Sequence, residues 1–147
     1  MVQECRFIKN PTDDIVVEVD KMFSIGDGII SVGKEELKEM IGGVENVLLL
    51  SGKGTGQSRV SDAIEDAVLH TCNTAPGYNL FTADKVIVQL IYSEQHELQL
   101  EEIEGLTQFA DMFPPSTRFL WGISKSKSMT SPNMIARIVA ANIKLKS

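Results

Sequence analysis

Val47-Leu48-Leu49-Leu50-Ser51-Gly52-Lys53-Gly54-Thr55-Gly56-Gln57-Ser58 passes from an unbroken apolar run into a glycine-rich segment. Val47 to Leu50 has no polar position, the pattern of a strand covered on both faces. Ser51 to Gly56 reads as a turn. From Ser58 the pattern is helical: Val60, Ala63, Ile64, Ala67 and Val68 share one face, and Arg59, Asp62, Glu65 and Asp66 lie opposite. Strand, turn and helix in this order open a β–α unit. Such a loop presents backbone N–H groups at a helix start, where phosphate is bound. The spacing is not GxxxxGK[ST], and glycines also serve a tight strand-to-helix turn. A structural or contact loop is the preferred reading over a phosphate cradle.

On the N-terminal side, residues 1 to 11 read as an arm with a short strand from Cys5 to Ile8. Thr12 is placed as an N-cap, with Asp13 and Asp14 in the first helical turn, where negative charge suits the dipole. Ile15, Val16, Val19, Met22 and Phe23 follow at helical spacing. After Gly26-Asp27-Gly28, residues 29 to 32 form an apolar bridge to a second helix over 34–41, which Gly42-Gly43 ends. On the C-terminal side, residues 71–83 read as a loop and Val86 to Ile91 as a strand. Leu100 to Phe113 outline a helix that Pro114-Pro115 terminates. Arg118 to Ser124 and Met134 to Ile143 read as two more strands, joined by a Lys/Ser-rich loop. This alternation predicts an α/β fold of the two-layer α+β sandwich kind: a mixed four-stranded sheet packed by helices mainly on one face. The last two strands are expected to pair antiparallel. Residues 1–28 form an N-terminal arm and helix, and 29–147 the domain proper.

The chain has 147 residues, 43% hydrophobic and 23% charged, enough for one domain with its own core. Its net charge of −6 argues against a nucleic-acid partner, which requires a basic footprint, and favours protein or small-molecule partners. Two separated cysteines and two lone histidines do not make a zinc site, so no metal and no cofactor is expected. The first residues carry no signal-peptide pattern, and no apolar run is long enough to span a bilayer. A reducing, cytoplasmic setting without direct membrane insertion is the expectation.

Other candidate chemistry reads blandly. Glu35, Glu36 and Glu39, and likewise Glu101, Glu102 and Glu104, are read as solvated helix faces. His70 reads as a C-cap group, His96 as a turn residue without ligand partners, and Cys72 as a thiol without a base. Lys125, Ser126, Lys127 and Ser128 form the one small basic loop, a contact for an acidic surface or a solvated hairpin.

Several strings, taken in serial order, resemble the C-terminal half of the FtsZ/tubulin family. Gly28-Ile29-Ile30-Ser31-Val32-Gly33-Lys34-Glu35-Glu36-Leu37 is similar to its Gly-Leu-Ile-Asn-Val-Asp-Phe-Ala-Asp-Val stretch. Ser51 to Arg59, with Asp62-Ala63 and Glu65-Asp66-Ala67, is similar to its glycine-rich turn and the helix after it. Ala83-Asp84-Lys85-Val86-Ile87-Val88-Gln89-Leu90 resembles its Ala-Lys-Gly-Val-Leu-Val-Asn-Ile strand. Glu97-Leu98-Gln99-Leu100-Glu101-Glu102-Ile103 resembles its Asp-Leu-Thr-Leu-x-Glu-Val helix start, and Arg137-Ile138-Val139-Ala140-Ala141 its closing strand. The likeness runs from about Val19 to Asn142.

The resemblance implies the end of a central helix and a C-terminal α/β domain, without the half that carries the family's Gly-Gly-Gly-Thr-Gly-Ser/Thr-Gly phosphate signature. In that family the loop matching Ser31 to Glu36 acts on the nucleotide of the next subunit. Here Ser31 takes its Asn position, Gly33 its first Asp position and Glu36 its second. One carboxylate is lost and one lengthened, so the resemblance implies a degraded catalytic loop and a chain that is not an enzyme. In tubulin relatives the glycine turn makes lateral contacts, which marks Gly52, Lys53, Gly54, Thr55 and Gly56, with Lys125 and Lys127, as interaction residues. The implied function is a non-catalytic protein-interaction domain that binds a filament-forming cell-division GTPase or itself. One half of a split GTPase, or a phosphate-ligand binder using Gly52–Gly56, are the alternatives.

Overall fold

A computed structural model describes residues 5–23, 27–30 and 32–146, with the backbone alone for 27–30. The elements are β1 (Arg6–Lys9), α1 (Asp14–Phe23), β2 (Asp27–Ile30), α2 (Lys34–Ile41), β3 (Asn46–Gly54), α3 (Arg59–Leu69), α4 (Thr71–Thr74), β4 (Tyr78–Asn79), β5 (Lys85–Ser93), α5 (Glu104–Ala110), β6 (Arg118–Ser126), β7 (Met134–Ala141) and β8 (Lys144–Leu145). Leu80–Thr82 and Leu100–Ile103 are 3-10 turns.

The main sheet runs β1-β3-β7-β5-β6-β2, and β4 pairs with β8 apart from it. Among the described residues only β5 and β6 are parallel neighbours; the other pairings are antiparallel. The four strands expected from the sequence stand side by side as β3, β7, β5 and β6. The sheet has six strands instead of four because β1 and β2 extend its two edges. The expected antiparallel pairing of β6 with β7 does not occur: β7 enters between β3 and β5. The apolar content of β7 explains its place. Ile138 and Ala140 point into one core and Val139 and Ala141 into the other, so the strand is buried on both faces and belongs at the centre.

Two clusters fill the two faces of the sheet. Val47, Leu49, Ile87 and Val139 meet α1 through Ile15, Val16 and Val19, and α2 through Leu37, Met40 and Ile41. Leu48, Leu50, Val88 and Ile138 meet α3 and α5 on the other side. Helices therefore cover both faces, in three layers where a two-layer sandwich was expected. Helical periodicity identifies the buried stripe of α1 but not the sheet face that it meets. The boundary drawn between residues 28 and 29 falls inside β2.

Side chains from the sheet satisfy the last carbonyls of α1, groups that a helix leaves unbonded. Arg137 Nη1 donates to the Met22 carbonyl at 2.7 Å, and Gln89 Nε2 to that of Phe23 at 2.9 Å. Burial of the Arg137 guanidinium lowers its pKa from the usual arginine range.

Candidate interaction surfaces

The glycine-rich segment is mostly strand. β3 continues through Gly54, and the turn spans only residues 55–58. Gly52 and Gly54 are buried on the face that carries α3. A Cβ on Gly52 would lie 2.2 Å from the Ala63 carbonyl oxygen, and one on Gly54 2.0 Å from that of Arg59. The two glycines thus let backbone pack against backbone, and they offer no surface to a partner. Lys53, Thr55 and Gly56 are exposed. The Lys53 N–H already donates to Asp66 Oδ2 at 2.9 Å, so a phosphate there would meet a carboxylate.

The helix that these glycines seat begins with Arg59. The periodicity places Arg59 on the solvent face, yet it is 4% exposed. Its Nε and Nη2 form a forked pair with Glu102 at 2.7 and 3.1 Å. Nη1 donates to the Pro132 carbonyl, and Nη2 also to those of His96 and Glu97. One guanidinium thereby ties together the loops after β5 and β6 and the 3-10 turn before α5. Glu102 leaves the solvated face that the sequence reading gave it. A hint existed: a cation in the first turn of a helix opposes the dipole and calls for a compensating anion. An open cleft of about 540 Å³ lies over this cluster, lined by Gly56, Gln57, Arg59, His96, Glu97 and Glu101, among others.

Tyr92 lies beneath, its ring 6.0 Å from the Arg59 guanidinium carbon. Burial raises its phenol pKa and the Glu97 carboxylate adds to the rise, while Arg59 opposes it. The folded state then keeps a proton that the unfolded chain loses near pH 10. Stability from this group is complete below about pH 10 and is lost as the pH rises through the folded pKa. Tyr92→Phe is expected to change stability little near neutral pH and to flatten the alkaline loss. Urea midpoints at about pH 7 and about pH 11 check this; parallel declines in the two proteins would refute it.

Lys125, Tyr92, Met134 and Gly54 stand in one row across β6, β5, β7 and β3. The basic loop and the glycine turn therefore share one end of the sheet, about 14 Å apart at ~4.8 Å per strand. Lys125 lies within β6 and is partly buried; Lys127 is exposed beyond it. Gly33 and Glu36 lie elsewhere, at the start of α2, and both are exposed. The Gly33 N–H donates to Glu36 Oε1 at 3.2 Å, so this carboxylate caps its own helix. Further along α2, Glu39 pairs with Arg118 at 3.0 Å and its carbonyl accepts from Lys85 at 2.8 Å. That half of α2 lies at the sheet end opposite Gly54. Ser31 falls outside the described residues. Among the described residues no group of three or more His, Cys, Asp or Glu side chains forms a metal-binding cluster, and no helix is long and apolar enough to cross a membrane.

The chain superposes on the empty FtsZ dimer structure from M. jannaschii with a TM-score of 0.65 and 17% identity, covering 82% of this chain and 37% of that one. It matches a helical model of the TubZ-Bt four-stranded filament with a TM-score of 0.63 and 6% identity, over 90% of this chain and 34% of that one. The fold is FtsZ/TubZ-like. A GDP-form protofilament of Bacillus thuringiensis serovar israelensis TubZ gives a TM-score of 0.54 at 8% identity, over 90% of this chain and 37% of that one. At these identities the likeness establishes the fold alone, and the FtsZ/TubZ-like domain spans well under half the length of those chains. The resemblance read from the sequence holds at that level, as does the mixed α/β class of an FtsZ/tubulin C-terminal domain. By sequence, no family profile and no curated protein matches the chain.

Proposed function

We propose that this domain is a non-catalytic interaction module that docks on a filament-forming FtsZ-like GTPase. The supporting observation is an FtsZ/TubZ-like fold in a chain covering 37% of the FtsZ length, with Gly33 where the resemblance places a catalytic Asp. The 147 residues contain no Gly-Gly-Gly-Thr-Gly-Ser/Thr-Gly string. A carboxylate misplaced by about an ångström already forfeits much of the rate that positioning supplies. The exposed side chains of Lys53, Thr55 and Lys127, with the backbone at Gly56, form the contact surface at one end of the sheet. The exposed first turn of α2 forms a second one. A module with polymer-facing surfaces and no nucleotide half would cap filaments in the cytoplasm.

Co-sedimentation with polymerised FtsZ tests this. The domain is expected in the pellet, with reduced polymer mass or slower subunit turnover, and Lys53→Glu with Lys127→Glu should weaken both effects. A domain that stays in the supernatant with turnover unchanged would refute the proposal. The similar TubZ structures are a four-stranded filament and a protofilament, which favours self-association as the second reading; sedimentation velocity of the chain alone would detect it.

A further inference from the structure

The outer surface of α3 and α5 has no part in the docking reading above. The helices pack closely at Gly105, where a Cβ would lie 2.4 Å from Ser61 Oγ. A groove passes over this crossing, because Ser61, Gly105 and Gln108 line two adjoining hollows. The larger, about 310 Å³, is lined by apolar side chains that include Ile64, Phe81 and Phe109. Leu69 and Met112, 73% and 60% exposed, stand at its rim. The smaller, about 180 Å³, is bounded by Glu101, Glu102 and Glu104.

The charge along this groove has one sign. Residues 59–69 and 100–111 contain a single Lys or Arg, Arg59, which is buried and paired with Glu102. Glu65, Glu101 and Glu104 line the groove and are exposed, and among the described residues no Lys or Arg lines either hollow. Such a field repels nucleic acid, an anionic bilayer and acidic peptides, and attracts a basic one. The apolar hollow demands side chains that leave water. At 1.5 Å per residue, α3 offers a groove about 16 Å long, roughly three helical turns of a ligand.

We propose that the α3–α5 groove is a docking site for an amphipathic helical segment of a partner protein, apolar at one end and rich in lysine or arginine at the other. Its leucine-like side chains fill the hollow between Val68, Phe81 and Met112, and its cations meet Glu101 and Glu104. This is the helix-in-groove mode of recognition with electrostatic register. It does not depend on whether the Lys53–Lys127 sheet end or the start of α2 docks on a filament.

The test is titration of the full chain, with methyl-labelled Ile, Leu, Val and Met, by a blocked synthetic helix of about twelve residues. The peptide carries leucines at helical spacing in one half and lysines in the other; a control carries glutamates in place of the lysines. Ile64, Val68, Leu69 and Met112 methyl signals are expected to shift with the lysine peptide and not with the control, more weakly as salt rises. Glu101→Lys with Glu104→Lys is expected to lower affinity at least about tenfold without changing the thermal midpoint. No methyl shift at millimolar peptide, equal binding of both peptides, or unchanged affinity in the double variant would overturn the proposal. So would a dimer of the chain alone that Leu69→Asp converts to a monomer, since a second copy would then be the occupant.

Discussion

Gly54→Ala is expected to destabilise the domain by about 3 kcal/mol, the upper end of what an added methyl group costs in a packed interior. The added carbon would sit 2.0 Å from the Arg59 carbonyl oxygen and 2.5 Å from the Ala63 amide nitrogen. Both are backbone atoms, so no rotamer change relieves the overlap, and α3 must lift from β3. Lifting α3 opens the cluster that joins Val60, Ala63 and Ile64 to Leu48, Leu50 and Ile138. For a chain of this size the loss corresponds to a fall of about 10 °C in the thermal midpoint. Gly33→Ala is the control. Its Cβ meets nothing nearer than Glu36 Oε1 at 3.7 Å, in an extended backbone with φ −76. Calorimetry on the two variants decides the matter: if Gly54→Ala melts with the control, close packing is not why the glycine is there.

Arg59→Met is expected to cost about 3–5 kcal/mol, the range for removing one partner of a buried ion pair. Glu102, whose side chain is 13% exposed, keeps its charge without its cation, and the carbonyls of His96, Glu97 and Pro132 lose their donor. Arg59→Lys should not rescue the site, since an ammonium cannot span a forked carboxylate and three carbonyls. Arg59→Met with Glu102→Met removes both charges and should recover a large part of the loss, with a coupling of about 1–3 kcal/mol in a double-mutant cycle. Hydrogen exchange gives a second readout: protection should fall first in residues 93–99 and 129–133. A fully additive cycle would mean that the pair does not act as a unit. Because the Arg59 carbonyl is also the atom nearest the Gly54 position, these two sites should couple with each other.

Both residues show how far local pattern reaches. The burial of Val47 to Leu50 on both sides was legible, because a run without a polar position has no face to offer water. So was the buried stripe of α3, with Val60, Ala63, Ile64 and Ala67 all in the core. The serial order of the strings pointed to the FtsZ/tubulin fold, which the superpositions bear out. The candidate site was less legible. Gly52 and Gly54 were marked as surface contacts because glycine-rich strings mark turns and phosphate loops as often as close packing.

The amino-acid sequence alone determined which residues of each strand and helix share a face, where most elements stop, and the fold family. Only the tertiary structure decided that β7 lies between β3 and β5, that α1 covers the second face of the sheet, and that Arg59 is a buried clamp. The reason is physical. Periodicity is a property of one element, set by its own backbone geometry, whereas strand order and the partner of a buried charge depend on groups distant in the chain. Arg59 and Glu102 are 43 residues apart and meet only after α3 and the turn before α5 have packed on the same face of the sheet.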